Sequence, residues 1–262
     1  RSQACCLETA MSVIEPGLRE AAFAAASIRR KMESRASATL SKGNDASDMA
    51  ADLSNLLRSA ARLKARSRRK SERKTLPALL FLTDPERIAD PLAALNRLPH
   101  RLDGRLGVIF RHFGAKNRVE TAQQLKKLCD RRNWILLIGA DPDLAAHIRA
   151  DGVHLPERMA ATAQSLKRRR PNWLVTAAAH NRKSLRRSGH LDAFLLSPAF
   201  PSKSPSAKGT KPLYRRGLAG AARCTRTPLY ALGGVNEKTI KRLENIRGIV
   251  GGALVSGLID GA

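Results

Sequence analysis

Aromatic residues are scarce in this chain of 262 residues, where phenylalanine, tryptophan and tyrosine together make up 4%. Its core must therefore be aliphatic and closely packed, and a hydrophobic fraction of 43% is sufficient for one. The scarcity also leaves few rings of the kind on which single-strand binders stack bases. No run of about 18 apolar residues occurs, so the sequence predicts no membrane-spanning helix.

Cysteine is also sparse and follows no metal-binding pattern. Cys5 and Cys6 are adjacent, whereas Cys129 and Cys224 stand alone, and no CxxC or Cys/His spacing is present. We therefore expect neither a disulfide framework nor a structural zinc site, and the pattern suits a reducing, cytoplasmic environment. The amino terminus also lacks the layout of a secretory signal.

Acidic residues are outnumbered, with 22 against 48 basic residues and a formal net charge of +26. This charge favours nucleic acid, acidic membranes or small anions as partners. Because the basic residues are spread along the chain, we interpret the excess as a bias of composition. On that interpretation neither nucleic acid nor membranes are expected partners, and the oligomeric state stays unknown.

The first 75 residues differ in texture from the rest, with much alanine, serine and arginine and no strand-like run. We expect residues 1–48 to be a weakly structured extension and take Met49 as a candidate start. Residues 49–75 are predicted to form an amphipathic helix followed by a basic linker over 66–74. The apolar face of that helix consists of Leu53, Leu56, Leu57, Ala60 and Leu63.

From residue 76 to 262, short apolar runs alternate with amphipathic stretches, a pattern typical of parallel βα units. Eight such runs predict a compact (β/α)₈ TIM barrel. A doubly wound sheet is the alternative, but the turn after the first run lacks its glycines. The predicted strands are Ala78–Thr83, Leu106–Arg111, Trp134–Ala140, Gly152–Leu155, Leu174–Ala179, Ala193–Ser197, Leu229–Leu232 and Ile249–Val255. Helices are predicted at Pro91–Leu98, Glu120–Arg131, Asp143–Ala150 and Glu237–Asn245.

Two glycine-rich segments lie at the last two predicted strands. Gly233-Gly234 precedes a helix, and Gly251-Gly252 leads to Val255-Ser256-Gly257. Glycine lets backbone N–H groups approach an anion, and phosphate-binding barrels place their phosphate site after strands seven and eight. Each pair alone could equally serve a tight turn. Together they predict a phosphate site.

Five motifs resemble those of thiamine-phosphate synthases and the closely related thiazole tautomerases, in the same order and spacing. They lie at 80–84 (LFLTD), 150–155 (ADGVHL), 197–202 (SPAFPS), 228–235 (PLYALGGV) and 254–256 (LVS). The resemblance covers about residues 78–259 and says nothing about residues 1–75. It implies a barrel that joins hydroxymethylpyrimidine pyrophosphate to a thiazole phosphate and releases pyrophosphate with the help of magnesium.

The resemblance also implies roles for individual residues. Four match the thiazole-phosphate pocket: Gly233, Gly234, Val255 and Ser256. Three match groups that hold pyrophosphate: Arg111, Ser202 and Ser204. The implied partners are phosphorylated thiazole and pyrimidine molecules.

Several family positions are changed. Ile109 and Phe113 replace the glutamine and lysine that flank the family arginine, and Gly139-Ala140 replaces an Asn-Asp pair that binds magnesium. Met159, Ala178 and Pro205 replace a second metal carboxylate, a serine and a loop lysine. Asp141 and Glu157 are the nearest substitute carboxylates, and Lys203 or Lys208 could replace the lysine. Magnesium needs closely placed oxygens, so we assign no metal ligand although the family implies Mg²⁺.

Three histidines lie near strand ends. His180 resembles the general acid/base of the tautomerase branch, and histidine suits proton transfer near neutral pH. The synthases also carry this histidine, so a structural role is an equal alternative. His154 is interpreted as structural or as a wall of the site, and His112 has no assigned role.

Three functions stay open at this point. The first is a thiamine-phosphate synthase with an altered pyrophosphate site. The second is a metal-independent thiazole tautomerase. The third is a catalytically silent barrel that binds a phosphorylated ligand. All three use the phosphate pocket, whereas the missing magnesium ligands count against the first.

Overall fold

The computed structural model describes residues 46–65, 76–99, 106–186, 189–202 and 209–255. Eight parallel strands close into a barrel in which each strand pairs with the next along the chain and the eighth pairs with the first. This confirms the predicted (β/α)₈ barrel and excludes the open-sheet alternative. The strands are β1 (Leu79–Leu82), β2 (Leu106–Phe110), β3 (Ile135–Gly139), β4 (Gly152–Leu155), β5 (Leu174–Ala179), β6 (Ala193–Leu196), β7 (Leu229–Leu232) and β8 (Ile249–Leu254).

Five of the seven described α-helices have ten residues or fewer. The seven are α1 (Ala46–Ala65), α2 (Pro91–Asn96), α3 (Arg118–Arg131), α4 (Pro142–His147), α5 (Ala163–Arg169), α6 (Tyr214–Arg223) and α7 (Glu237–Ile240). The helix predicted over Glu237–Asn245 is half its expected length, because the chain tightens after Ile240 into a 3₁₀ turn, Lys241–Leu243. Among the described helices, none is long and apolar enough to cross a membrane.

The strand side chains form two separate apolar layers, as alternation along a barrel strand requires. Leu80, Ile109, Leu137 and Leu195 belong to the cluster that fills the barrel interior. The alternate residues of the same strands pack outward against the helices. The interior is therefore a filled core, and a ligand can reach the barrel only at its ends.

Tyr230 closes the interior near the amino-terminal ends of the strands. Its ring is fully buried, and its hydroxyl donates a hydrogen bond of 2.6 Å to the carbonyl oxygen of Pro77. Gly251 makes room for the ring, since a Cβ there would lie 2.8 Å from Tyr230 Cε1 and 2.2 Å from the Ala78 oxygen. Gly252 likewise faces the side chains of Val235 and Ile240 from within β8. Strand packing therefore accounts for these two glycines without an anion.

Helix α1 packs against β8, α7 and β1. This is where the eighth outer helix of such a barrel would lie, next to the seam between the last strand and the first. Its predicted apolar face is buried where the structure describes it, through Leu56, Leu57, Ala60 and Leu63. Together with the barrel, α1 belongs to one compact unit that begins at residue 46. The weak structure predicted for residues 1–48 concerns a segment that, up to residue 45, lies outside the described residues.

Candidate active site

The carboxyl ends of β1 and β2 are joined through Arg111. Its guanidinium donates to the carbonyl oxygen of Thr83 at 3.1 Å and to the Asp84 carboxylate at 3.1 Å, and its backbone N–H donates to Thr83 Oγ1 at 2.9 Å. Burial lowers the pKa of Arg111, an effect that Asp84 opposes. With 30% of its side chain exposed, Arg111 retains access to the barrel mouth while its position is fixed.

The two replacements beside Arg111 have different surroundings. Ile109 points into the interior core and is fully buried. Phe113 is 58% exposed, and its ring lies beneath the guanidinium of Arg118 at 5.7 Å. Neither supplies a polar group, so Arg111 stands without the two flanking groups that the family pattern has here.

Gly139, at the family's asparagine position, lies beneath the residues that follow β2. A Cβ at Gly139 would lie 3.0 Å from the Phe110 oxygen and 3.3 Å from both Arg111 and Phe113. Ala140 occupies the position of the family's magnesium-binding aspartate. It has a φ of +55°, and its side chain has no oxygen that could bind a metal. The end of β3 is therefore closed by Phe113 and Arg111.

Asp141, the nearest carboxylate to that position, is engaged elsewhere. One oxygen caps α4 by accepting a hydrogen bond of 2.9 Å from the backbone N–H of Leu144. The other forms an ion pair with Arg118, whose guanidinium also donates to the Gly139 oxygen at 3.3 Å. Both oxygens thus have partners, and Asp141 is poorly suited to replace the missing metal ligand.

Glu157 is engaged in the same way after β4. Its Oε1 accepts a hydrogen bond of 2.6 Å from Ser184 Oγ, and its Oε2 accepts one of 3.1 Å from the backbone N–H of His180. It lines a cavity of about 240 Å³ next to Asn181 and Lys183. Its carboxylate fixes the start of the β5–β6 loop.

These residues do not fit a magnesium site. The second family carboxylate falls on Met159, whose side chain packs against the outer core. Across the described residues there is no group of three or more histidine, cysteine or acidic side chains that could hold a metal ion. Magnesium binds through well-ordered oxygens at near-octahedral positions, and the two carboxylates closest to the family positions already have protein partners.

His180 lies at the carboxyl end of β5 with an exposed ring. Its Nδ1 is 3.0 Å from Ser197 Oγ, which follows β6. The backbone N–H of His180 donates to Glu157. Neighbouring side chains therefore orient both the ring and the main chain of His180. An oriented, accessible imidazole is the arrangement that general acid/base chemistry needs.

His154 has the opposite character. It is buried, and its Nδ1 is 2.9 Å from Thr176 Oγ1 on the next strand. Burial and, secondly, the positive charge of Arg111 lower the pKa of His154 to about 3. The ring is therefore neutral near pH 7 and cannot take up a proton there.

The predicted phosphate loop follows β7. Gly233 and Gly234 have φ values of +92° and +63°. Within the described part of the chain, the backbone N–H groups of Gly234 and Val235 have no hydrogen-bond acceptor. The N–H groups that start α7 are occupied instead, because the Asn236 side chain accepts from Lys238 and Thr239 in a capping box. Anion binding here would use the loop and not the helix terminus.

Gly234 is required for a reason that the sequence does not reveal. A Cβ at this position would lie 2.3 Å from the Pro201 oxygen and 2.9 Å from the Phe200 carbonyl carbon. The β7–α7 loop therefore packs against the backbone of the loop after β6. Any side chain at Gly234 would displace one of the two loops, so a substitution such as Gly234→Asp would disturb the local fold as well as the predicted phosphate pocket.

The remaining predicted residues divide between described and undescribed positions. Val255 directly follows β8 and is half-buried, and Ser202 is half-buried in the loop after β6. Ser256, Ser204, Pro205, Lys203 and Lys208 lie outside the described residues. The structure thus places Gly233, Gly234 and Val255 after neighbouring strands β7 and β8, and Arg111 after β2, which is separated from β8 by β1.

His112 is buried on the outer side of β2. Its ring stacks on Phe110 with centroids 5.2 Å apart, and its Nε2 has no hydrogen-bond partner among the described residues. Burial lowers the pKa of His112, against the opposing influence of Asp84. The ring thus packs against Phe110, a residue of the outer core.

Three residues of the site have contacts that the sequence did not predict. Ser197 was quoted as part of a motif but not linked to His180, Glu157 was considered as a metal ligand, and Arg118 was not considered. The signal for Ser197 was its position directly after a strand that neighbours β5. Nothing comparable marks Arg118, which is one arginine among many at a helix start.

Comparison with known proteins agrees with this architecture. A family model described as thiamine monophosphate synthase matches residues 79–258. A relative from Aquifex aeolicus, whose name provisionally assigns it as a thiamine-phosphate synthase, is 30% identical over 171 residues, which cover 63% of this chain and 89% of its own length. The thiamine-phosphate synthase of Prochlorococcus marinus is 26% identical over 58% of this chain, which spans 43% of that protein.

Among solved structures, thiamine phosphate pyrophosphorylase from Pyrococcus furiosus is similar with a TM-score of 0.57 and 20% identity. The match covers 70% of this chain and 87% of that protein. At this identity the likeness supports the barrel fold alone. Because the family model covers most of the chain, from β1 to just beyond β8, the chain belongs to the thiamine monophosphate synthase family.

Proposed function

We propose that this protein binds a phosphorylated thiazole at the barrel mouth and transfers a proton on it through His180, as a metal-independent tautomerase. The observation that carries this proposal is the contrast between two sets of residues. His180 is accessible and oriented by Ser197 and Glu157, whereas Gly139 and Ala140 offer no oxygen side chain at the family's magnesium position.

The reaction needs no group beyond the substrate and the imidazole. His180 takes a proton from a carbon of the thiazole-like ring and returns a proton to another atom of the same conjugated system, so the product is an isomer. Because Nδ1 is engaged by Ser197, Nε2 is the nitrogen that faces the substrate. Histidine serves this role well near neutral pH.

The substrate is anchored at two points in this proposal. Its phosphate accepts hydrogen bonds from the backbone N–H groups of Gly234 and Val235, with Gly233, Val255 and Ser256 completing the pocket. Arg111 reaches a second anionic group from the end of β2, because its guanidinium is fixed by Asp84 and partly exposed. A pocket built from backbone donors and glycine is a common solution for phosphate.

The test follows proton exchange directly. Purified protein is incubated with a thiazole phosphate in deuterated water, and ring deuteration and isomer formation are followed by NMR. We expect turnover that survives EDTA, is lost in His180→Gln, and is reduced in Ser197→Ala. The matched control is His147→Gln, since His147 is exposed on α4 and makes no contact with the site. Equal turnover in His180→Gln and wild type would exclude the proposal.

Condensation with hydroxymethylpyrimidine pyrophosphate is the second candidate. It is favoured by the presence of Arg111 at the family's pyrophosphate position and by the names of the relatives described above. The same preparations are assayed for pyrophosphate release with and without magnesium. Magnesium-dependent release that is lost in Arg111→Ala would replace the tautomerase proposal by the synthase.

A further inference from the structure

The net charge is concentrated in one part of the chain. Residues 158–236 contain 16 lysines and arginines but a single acidic residue, Asp192. The other 183 residues carry 32 basic and 21 acidic residues. A compositional bias alone would lower the number of acidic residues along the whole chain. It therefore does not explain why they are nearly absent from this one segment.

The fold gathers this segment on one side of the molecule. It runs from the turn after β4 through α5, β5, β6 and α6 to the loop after β7. Because neighbouring strands of the barrel follow chain order, these elements form one continuous sector of the wall. The carboxylate of Asp192 has both of its partners within that sector. It accepts a hydrogen bond of 2.7 Å from the Val175 N–H and forms an ion pair of 2.7 Å with Lys167.

The loop after β5 and helix α6 share one basic surface. Arg182 lies against Gly220 of α6, since a Cβ at Gly220 would be 2.3 Å from a terminal nitrogen of its guanidinium. Arg215, Arg216 and Arg223 are exposed on the same helix. Within the described residues, none of these four arginines has an ion-pair partner. We call this surface, formed by Arg182, Arg215, Arg216 and Arg223, the arginine face.

We propose that the arginine face binds single-stranded nucleic acid through its phosphate backbone. Eleven of the 16 basic residues in the segment are arginines, whose planar guanidinium matches phosphate oxygens in pairs. Tyr214 stands at the start of α6 beside Arg215 and is 50% exposed. An exposed ring next to phosphate-binding groups provides a surface on which a base stacks.

A membrane surface fits this face less well. Peripheral binding to lipid combines basic residues with several apolar side chains that enter the bilayer. Among the described residues, the other large exposed apolar side chains are Phe113 and Val119. Phe113 follows β2 and Val119 lies in the first turn of α3, so both are outside the basic sector.

The experiment measures binding of the full-length protein to a fluorescent single-stranded RNA of mixed sequence over a series of salt concentrations. We expect log K to fall linearly with log salt, with a slope of about 0.7 for each phosphate neutralised. The variant Arg215→Gln, Arg216→Gln, Arg223→Gln should lower that slope by about 2 units and weaken binding at least tenfold at moderate salt. Tyr214→Ala should weaken binding by about fivefold, and Tyr214→Phe should not.

The matched control removes three charges elsewhere, in Lys116→Gln, Lys127→Gln, Arg131→Gln. These residues are exposed at and before α3, where Glu120 and Asp130 are interspersed. Equal loss in both triple variants would show a general effect of net charge and overturn the proposal. Absence of RNA binding at low salt would also overturn it, as would stronger binding to mixed phosphatidylserine–phosphatidylcholine vesicles than to RNA. Thermal unfolding of each variant confirms that the fold is intact.

Discussion

Arg118 and Asp141 form an ion pair across the end of β3, linking the start of α3 to the start of α4. The pair lies beside the position where the family pattern has a magnesium aspartate. Because the same carboxylate also caps α4 through the Leu144 N–H, it joins two helices to the barrel rim. A residue that could have served as a metal ligand is thus part of the scaffold.

This pair makes stability depend on pH. Burial opposes ionisation of Asp141, but hydrogen bonds from the Leu144 N–H and from Arg118 lower its pKa below the ordinary value. A carboxyl group with a lowered folded-state pKa stabilises the fold above its unfolded pKa, and this contribution is lost as pH falls through the folded pKa. We expect Asp141→Asn to cost about 1 kcal/mol near pH 7 and much less near pH 3, measured by urea unfolding.

Asp143→Asn is the control for that prediction. Asp143 is exposed in the first turn of the same helix, so it shares the helix dipole but not the ion pair with Arg118. We expect its effect to stay within about 0.5 kcal/mol at both pH values. A cost of Asp141→Asn that is equal at low and neutral pH would show that its charge does not stabilise the fold.

The sequence predicted the barrel well and its site unevenly. Strands β4, β5 and β7 begin and end where the apolar runs do, because buried parallel strands leave a strong local signal. The partner of a side chain depends on the fold instead. Asp141 and Glu157 were both candidate metal ligands by position, and their contacts with Arg118 and Ser184 come from elements that sequence spacing does not bring together.

The glycines also show what the sequence could not predict. Gly234 and Gly251 both lie in predicted phosphate-binding segments, and both are needed for close approach to backbone oxygens, of Pro201 and Ala78 respectively. A glycine pattern reports that something comes close to the main chain. It does not distinguish an anion from another strand or loop.

Glu157 is expected to act as a positioning residue for His180. In Glu157→Gln one of the two acceptor oxygens becomes an NH₂ group, so the carboxylate can no longer accept from both Ser184 Oγ and the His180 N–H. We expect at least a tenfold loss of kcat for proton exchange with little change in KM, since the phosphate pocket is untouched. Urea unfolding separates this loss from a general loss of stability.

The comparison for Glu157 is Glu237→Gln at the start of α7. Its carboxylate lies 3.6 Å from Lys241 on the same helix turn and does not contact the β5–β6 loop. We expect turnover of this variant within about twofold of wild type. Glu157→Asp keeps the charge but shortens the side chain. If its loss of kcat were accompanied by a large loss of unfolding free energy, Glu157 would be structural and not a positioning residue.

The bond between Tyr230 and Pro77 is expected to stabilise the closed end of the barrel. Tyr230→Phe keeps the ring but leaves the Pro77 carbonyl without its donor in a buried place. An unsatisfied buried acceptor costs about 1–3 kcal/mol, which urea unfolding resolves. The chain offers a matched control in its second tyrosine, because Tyr214 is half exposed and Tyr214→Phe should change stability by less than about 0.5 kcal/mol. Equal effects of the two substitutions would contradict this assignment.

Helix α1 is expected to be part of the folded barrel, although it precedes β1 by a basic linker. Leu57 is fully buried in the outer core, so Leu57→Ala should lower the free energy of unfolding by about 2–5 kcal/mol. Arg62→Ala, on the exposed side of the same helix, should cost less than about 0.5 kcal/mol. Deleting residues 1–45 should also have little effect, whereas deleting residues 1–65 should expose the apolar surface of β8 and α7. Unchanged stability in Leu57→Ala would mean that α1 does not replace the eighth outer helix, and the fold would then begin at residue 76.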